Sequence, residues 1–249
     1  MFEHFKGDEE FVRKVLDYKS QALNHQRMIL TKFLNPHEQE VVHSLVGHEL
    51  DIYEEGGYEG AENKRMIICP SFYEILPEDY AICVYRIDYN DSFGKLKHKD
   101  VLGALMNLGI KRDCIGDIDD HDGLSFACAK ENADYIAINL QKIKKSSVHL
   151  ALLDERPTII HEYTTKTFIV SSLRLDKVLA VVYGIPRSKS AEAIRSGLVK
   201  VNHKSIEEIN YLCNNNDIIS FQRHGRVKIV VTDRLTKQDN HVIEGLFYK

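Results

Sequence analysis

Six basic side chains between residues 172 and 204 fall where apolar spacing leaves them facing water: Arg174, Lys177, Arg187, Lys189, Arg195 and Lys200. Leu173, Leu175, Val178, Leu179 and Val182 define the buried stripe of a short helix stopped by Gly184. Pro186-Arg187-Ser188 opens a second helix, with Ser188 as its expected cap, Ala191 and Ile194 on its buried side and Gly197 as its C-terminal glycine. A strand, Leu198–Asn202, follows directly. Two short angled helices bearing Arg and Lys make a compact positive ridge suited to phosphates, with guanidiniums as bidentate forks and ammoniums as point charges. Asp176, inside the first helix, is expected to orient Arg174 or Lys177 or to cap locally rather than to meet a ligand.

The charge distribution agrees with this local reading. The 249-residue chain has a formal net charge of -4, yet residues 168–249 hold 13 Lys and Arg against 8 Asp and Glu, a balance of +5. Residues 1–167 hold 20 basic against 29 acidic residues, a balance of -9. A basic end on an acidic body suits a protein that grips a polyanion with one end. With 43% hydrophobic and 28% charged residues, the composition excludes a disordered chain, a collagen and a disulfide-stapled miniprotein. No apolar run reaches the ~18 residues of a membrane span, and Met1–Glu10 contains no signal-peptide core. The expectation is therefore a cytoplasmic protein with no membrane partner. Cys69, Cys83, Cys114, Cys128 and Cys213 are odd in number and lack Cys-x-x-Cys spacing, so reduced, mostly buried thiols are expected.

The elements that must position these residues form three segments within an α+β chain. Residues 1–74 read as an N-terminal helical/β domain. Asp8 caps a helix with Phe11, Val12, Val15 and Leu16 on its apolar face, and a second helical stretch runs to about Phe33. Asn35-Pro36-His37-Glu38 starts a further helix that buries Val41, Val42, Leu45 and Val46. Strands are expected at Asp51–Tyr53 and Met66–Cys69. Residues 75–156 alternate strand and helix: strands at 81–89, 114–118, 124–129 and 148–153, and helices at 98–108 and 132–143, with Val101, Leu102, Leu105 and Met106 on one face of the first. That order suits a ferredoxin-like, RNA-recognition-motif-like sandwich. Base stacking on such a sheet needs third-strand aromatics, and Leu124–Ala129 supplies only Phe126. Residues 157–170 read as a β-rich connector, and 171–249 as the basic domain with a C-terminal extension.

The basic segment resembles a known module. Arg174-Leu175-Asp176-Lys177-Val178-Leu179, Arg187-Ser188-Lys189, Ile194, Gly197 and Val199-Lys200-Val201-Asn202 are similar to the RNA-binding domain named after small-subunit ribosomal protein S-four: two short helices and a small antiparallel sheet. Asn216-Asp217-Ile218-Ile219 matches that family's Gly-Asp-x-Ile, and the chain continues into Arg223-His224-Gly225-Arg226. Pro186, His203 and Asn216 depart from the family's Ser, Gly and Gly, all in turns. The resemblance implies RNA-binding roles for Ser188, Asn202, Lys204, Arg223 and Arg226 beside the six outward cations. Gly57–Arg65, His98–Leu105, and Leu108–Arg112 running on to Gly116-Asp117-Ile118 extend the likeness to YlmH-type bacterial proteins, with Asn63 where an Arg is usual. This implies three domains and a role on the large ribosomal subunit, in quality control of stalled peptidyl-tRNA, with rRNA or tRNA as partner.

Other chemistry is weaker. Lys111-Arg112 is a candidate second RNA contact or a helix-end pair favoured by the dipole. Lys228, Arg234 and Lys237 read as ordinary surface. Arg174-Leu175-Asp176 also occurs in pseudouridine synthases, where the Asp is a nucleophile; here Lys177-Val178-Leu179-Ala180 continues a helix instead of the expected Thr/Ser-Gly-Leu. His37, His43, His48 and Glu49 lack metal-site spacing, and Asp119-Asp120-His121-Asp122 reads as a solvated turn before a cation loop. Gly56, Gly57 and Gly60 build neither a Walker A loop nor a dinucleotide fingerprint. The expectation is a non-enzymatic RNA-binding factor with no catalytic residue, metal, cofactor or small-molecule substrate. The rivals are an RNA-modifying enzyme and a protein adaptor anchored on RNA.

Overall fold

The computed structural model describes residues 8–121, 123–160 and 162–248. Residues 1–7, part of the stretch without a signal-peptide core, and Asp122 of the acidic turn lie outside the described residues. The chain divides into two compact units, 1–160 and 161–249. Among the described residues no helix is long and apolar enough to cross a membrane.

In the first unit, α1 (Glu9–His25) buries Val12, Val15 and Ala22. Asp8 precedes it without capping, because its carboxylate lies 2.9 Å from the His37 ring instead. Leu16 is exposed, and Gln26 in the left-handed region ends the helix. No second helix reaches Phe33: Ile29–Leu30 is strand β1, paired antiparallel with Ile67 and Ile68. Tertiary pairing overrides local helical spacing there. Helix α2 (Pro36–Val46) starts as expected. Asn35 accepts from the Glu38 amide at 3.1 Å and Glu38 accepts from the Asn35 amide at 2.8 Å, a reciprocal cap worth about 1 kcal/mol. Strands β2 (Asp51–Glu55) and β3 (Arg65–Cys69) complete a three-stranded sheet in the order β1-β3-β2.

The second sheet of this unit uses β4 (Ile82–Tyr89), β5 (Ile115–Asp119), β6 (Ser125–Ala129), β7 (Lys142–Ile143) and β8 (Ser146–Leu152), with helices α3 (His98–Asn107) and α4 (Lys130–Asn139). The order β5-β6-β4-β8-β7, all antiparallel, is ferredoxin-like with a short added edge. Helix α4 ends at Asn139, short of the expected 143, because Ile143 is buried and pairs with Ser146 in a hairpin. Met106, expected in the core, is exposed, whereas Val101 and Leu105 are fully buried.

Every residue of β6 is buried. Successive side chains alternate faces, so a strand buried throughout is covered on both sides. One cover comes from residues 33 and 57–61. Tyr58 donates its hydroxyl to Ser125 at 2.9 Å, and Phe33, Tyr58 and Ala61 join the same core as Phe126 and Ala127. Gly57 sits at φ +86°, where an added Cβ would lie 2.9 Å from Val84; one at Gly116 would lie 2.6 Å from the Phe33 ring. Asp117 accepts from the backbone amides of Glu62 and Asn63 and from the Asn63 side chain. Arg65, itself buried, donates to the carbonyls of Thr31 and Ala81. Pro157 and Ile159 hydrogen-bond to Glu59, so this part of the expected connector lies along the same seam.

Among its described residues the second unit forms one six-stranded antiparallel sheet with two helices. It contains β9 (Tyr163–Val170), α5 (Leu175–Tyr183), α6 (Arg187–Arg195), β10 (Val199–Val201), β11 (Lys204–Ser205), β12 (Ile218–Phe221), β13 (Gly225–Leu235) and β14 (His241–Tyr248). The order is β11-β10-β12-β13-β14-β9, so 163–170 forms a full edge strand. One side of the sheet presents Val199, Val201, Ile219, Val227, Ile229 and Ile243 to a core shared with Leu175, Val178, Leu179, Val182 and Ile194 of the helices.

Candidate nucleic-acid interface

The ridge is organised by a buried carboxylate. Asp176 lies in the first turn of α5 with its side chain 2% exposed. It accepts from Arg174 Nε at 3.0 Å and from Arg187 Nε at 2.8 Å. Burial alone would raise its pKa, but the hydrogen bonds from Arg187 and then Arg174 outweigh that and hold the carboxyl below the usual carboxylate range. Of the roles the spacing allows, orienting Arg174 is the one seen, and the bond to Arg187, eleven residues away and across a turn, has no local signal. The same residue ties the helices by backbone, since buried Ser190 donates to the Asp176 carbonyl at 2.8 Å.

This clamp fixes two guanidiniums without covering them. The Arg174 side chain is 37% exposed and that of Arg187 57%. Each has donors beyond those spent on Asp176, and a planar fork held in place loses less entropy when it meets a phosphate. Arg187 opens α6, where a cation opposes the helix dipole; the Asp176 charge offsets that cost. The α6 start has no side-chain cap because Pro186, not Ser188, occupies the capping position. Ser188 is therefore the second residue of the helix, exposed between Arg187 and Lys189. Uncapped first-turn N–H groups beside Arg and Lys make an anion-receptive helix start. Ala191, expected in the core, is half-buried, and Ser190, Ala193 and Ile194 form the buried side. Lys177 donates to Ser171 Oγ at 3.0 Å on the same helix pair.

Of the other expected residues, only Arg195 stands on the same helix pair, and the rest do not share this ridge. Arg195 lies at the far end of α6, about 12 Å along the axis from Arg187. Lys204 lies opposite Val201, on the helix-covered side of the sheet edge. Lys200 and Arg226 point to the opposite side of the sheet, since their neighbours Val199, Val201 and Val227 are buried in the core. Arg223 is exposed in the β12–β13 turn at φ 67°. The Asn202 amide is spent inside the fold: it donates to Asp217 Oδ1 and accepts from the Ile218 amide, both at 2.8 Å. Asn202, His203 and Asn216 all have positive φ, which explains the family's glycines at the last two positions.

In the first unit, Lys111 is exposed but the Arg112 guanidinium folds back onto the carbonyls of Ile115 and Gly116. Both residues lie beyond the end of α3, so the helix-end pairing does not arise. Helix α5 does continue through Lys177–Ala180. Cys69, Cys114, Cys128 and Cys213 are buried and Cys83 half-buried; all five are free, and burial pushes the Cys213 thiol up to about 12. Among the described residues no group of three His, Cys, Asp or Glu side chains is arranged to hold a metal ion.

Family models match three stretches of the chain. Residues 7–73 match "YlmH, N-terminal", residues 76–156 match "Putative RNA-binding domain in YlmH", and residues 173–219 match "S4 domain". The ribosome-associated protein quality control protein P2 of Bacillus subtilis (strain 168) is 33% identical over 246 residues, covering 96% of this chain and 95% of that protein. The solved structure of cell division protein ylmH from Streptococcus pneumoniae is similar with a TM-score of 0.52 and 25% identity, over 59% of this chain and 91% of that one.

Proposed function

The chain belongs to the YlmH family, and from that membership we propose that it is a non-enzymatic RNA-binding factor of the large ribosomal subunit, acting in quality control of stalled peptidyl-tRNA. The observation that carries this reading is the Asp176 clamp, which presents Arg174 and Arg187 beside Lys177, Ser188 and Lys189 as a fixed phosphate-binding ridge. The name of the Bacillus subtilis relative supports the ribosomal setting. Structured rRNA or tRNA exposes backbone and 2′-hydroxyls rather than readable base edges, so the ridge reads shape with little base specificity. Arg195 extends it along α6, and Lys111 is a further contact in the first unit. We read the chain as three domains, 1–74, 75–156 and 171–249, the last taking β9 (Tyr163–Val170) of the expected connector as its edge strand, working in the cytoplasm. Two separate sheets within residues 1–160 support the first division.

Asp176 supports the non-catalytic reading over a pseudouridine synthase, because a buried carboxylate held by two guanidiniums has little freedom to attack a base. Removing Arg174 and Arg187 would strip that carboxylate of its partners, so the cleaner test spares them. Lys177→Ala/Lys189→Ala/Arg195→Ala is expected to abolish co-sedimentation with 50S particles while leaving the thermal transition in place. Affinity of the unaltered protein should fall steeply with salt through counterion release, and the variant should show a shallower salt slope. Co-sedimentation that persists unchanged in the variant sinks the assignment.

A further inference from the structure

The side of the C-terminal sheet away from α5 and α6 carries an ordered row of side chains. Strand register places Ser205 opposite Lys200, Lys200 opposite Ser220, and Ser220 opposite Arg226. The Arg226 guanidinium lies 4.3 Å from the centre of the Tyr248 ring, and Tyr248 pairs with Tyr163, their rings 4.9 Å apart and edge to face. The row thus crosses all six strands, about 24 Å at ~4.8 Å per strand. Lys200 is exposed and Tyr163 is 37% exposed. The row below adds Lys228 opposite Ile218. In the third row, Glu244 pairs with Arg234 at 3.6 Å, which leaves the face positive.

We propose that this row is a second RNA site, distinct from the ridge, that takes a short unpaired strand across the sheet. Three features favour that occupant. Cations alternate with hydroxyls along a line, which suits successive phosphates; aromatic rings cluster at one end, which suits a stacked base; and the span matches about four nucleotides, the lower end of single-strand site sizes. A guanidinium on an aromatic face adds a planar surface for a further base. The face carries positive charge with few acidic groups, so an acidic peptide is the competing occupant, and the aromatic end has no role in binding one. This site stands on its own geometry and does not depend on the ridge.

Fluorescence anisotropy on the full chain tests it, with labelled oligo(U) and oligo(A) of about eight nucleotides and a structured RNA hairpin as the second probe. Tyr163→Ala is expected to weaken oligonucleotide binding about tenfold, the effect of losing one stacked base, and to leave hairpin binding unchanged. Tyr163→Phe, which keeps the ring, should bind the oligonucleotides as before. Lys177→Ala/Lys189→Ala, on the ridge, should show the reverse pattern. The proposal is overturned if no oligonucleotide binds, or if the ridge variant abolishes single-strand binding and Tyr163→Ala does not. It is also overturned if oligo-glutamate, rather than RNA, is the ligand whose binding Tyr163→Ala removes.

Discussion

The two larger sheets of this chain are antiparallel, helix-backed and similar in strand number, and they differ in what happens to their second face. In the first unit, β6 has no exposed residue, because Phe33, Tyr58 and Ala61 cover the side that a ferredoxin-like RNA-binding sheet would offer to bases. In the C-terminal unit, the second face keeps Lys200, Arg226, Lys228 and Tyr163 in contact with solvent. Topology alone therefore points base stacking at a sheet whose second face is covered. A ferredoxin-like order is a frame, and the residues standing on its open side decide the chemistry.

The sharpest way to break this contrast is to place the same charge on both sheets. Ala127→Lys puts an ammonium into a fully buried position between Gly57 and Gly116, with no acceptor provided for it. It should cost more than about 3 kcal/mol and unfold the first unit under mild urea. Val230→Lys, half-buried on the outer side of β13 and opposite Glu244, should cost less than about 1 kcal/mol. Urea unfolding followed by circular dichroism compares the two, and equal losses would erase the distinction.

A smaller effect sharpens the account of the covered side of the C-terminal sheet. Asp176→Asn weakens the clamp between α5 and α6 and should cost about 1.5–3 kcal/mol at pH 7, the range for hydrogen bonds to charged groups. The carboxyl is held below its ordinary value in the fold, so its contribution is complete above the unfolded pKa of about 3.9. It is lost as pH falls below about 4 toward the depressed folded value. The stability gap between the unaltered protein and Asp176→Asn should therefore be constant from pH 8 to pH 5 and narrow at lower pH. A gap that stays open at pH 3 would place the stabilisation somewhere other than this charge.

Most local signals are legible in the sequence, the Ser188 cap excepted, and signals that depend on distant partners are not. The capping box at Asn35 and Glu38, the glycine stops at Gly184 and Gly197, and the buried stripe of α5 are all set within a few residues. Strand β1 reads as helix in the sequence because its pairing partner lies almost forty residues on, at Ile67 and Ile68. The spacing lets Asp176 orient Arg174 or Lys177 or cap locally, while its bond to Arg187 depends on how two helices pack. The basic residues are legible in the sequence, but their division between the ridge and the opposite sheet face follows from strand register. A period-two reading of Arg226-Val227-Lys228-Ile229 had the signal for that division, with Val227 and Ile229 inward and the cations outward. Tyr163 and Tyr248 gave no such signal, because they sit at strand ends and meet only across the sheet.

The smallest expected effect concerns the turn that carries Lys200 toward the open face. Strands β10 and β11 are joined by Asn202 and His203 at φ 48° and 69°, so both residues are left-handed. Two-residue hairpins of this kind match the twist of their strands, and they favour Asn followed by Gly. Asn202 suits its place, and its side chain locks Asp217 and the Ile218 amide. His203 bears the cost of a Cβ in a conformation that glycine adopts freely. His203→Gly should therefore stabilise the chain by about 0.5–1 kcal/mol, after the entropy that glycine regains in the unfolded state is deducted. Thermal unfolding measures the shift. Because Lys200 keeps its register opposite Ser220, single-strand RNA affinity should not change, which separates the geometry of the row from the strain of the turn that precedes Lys204.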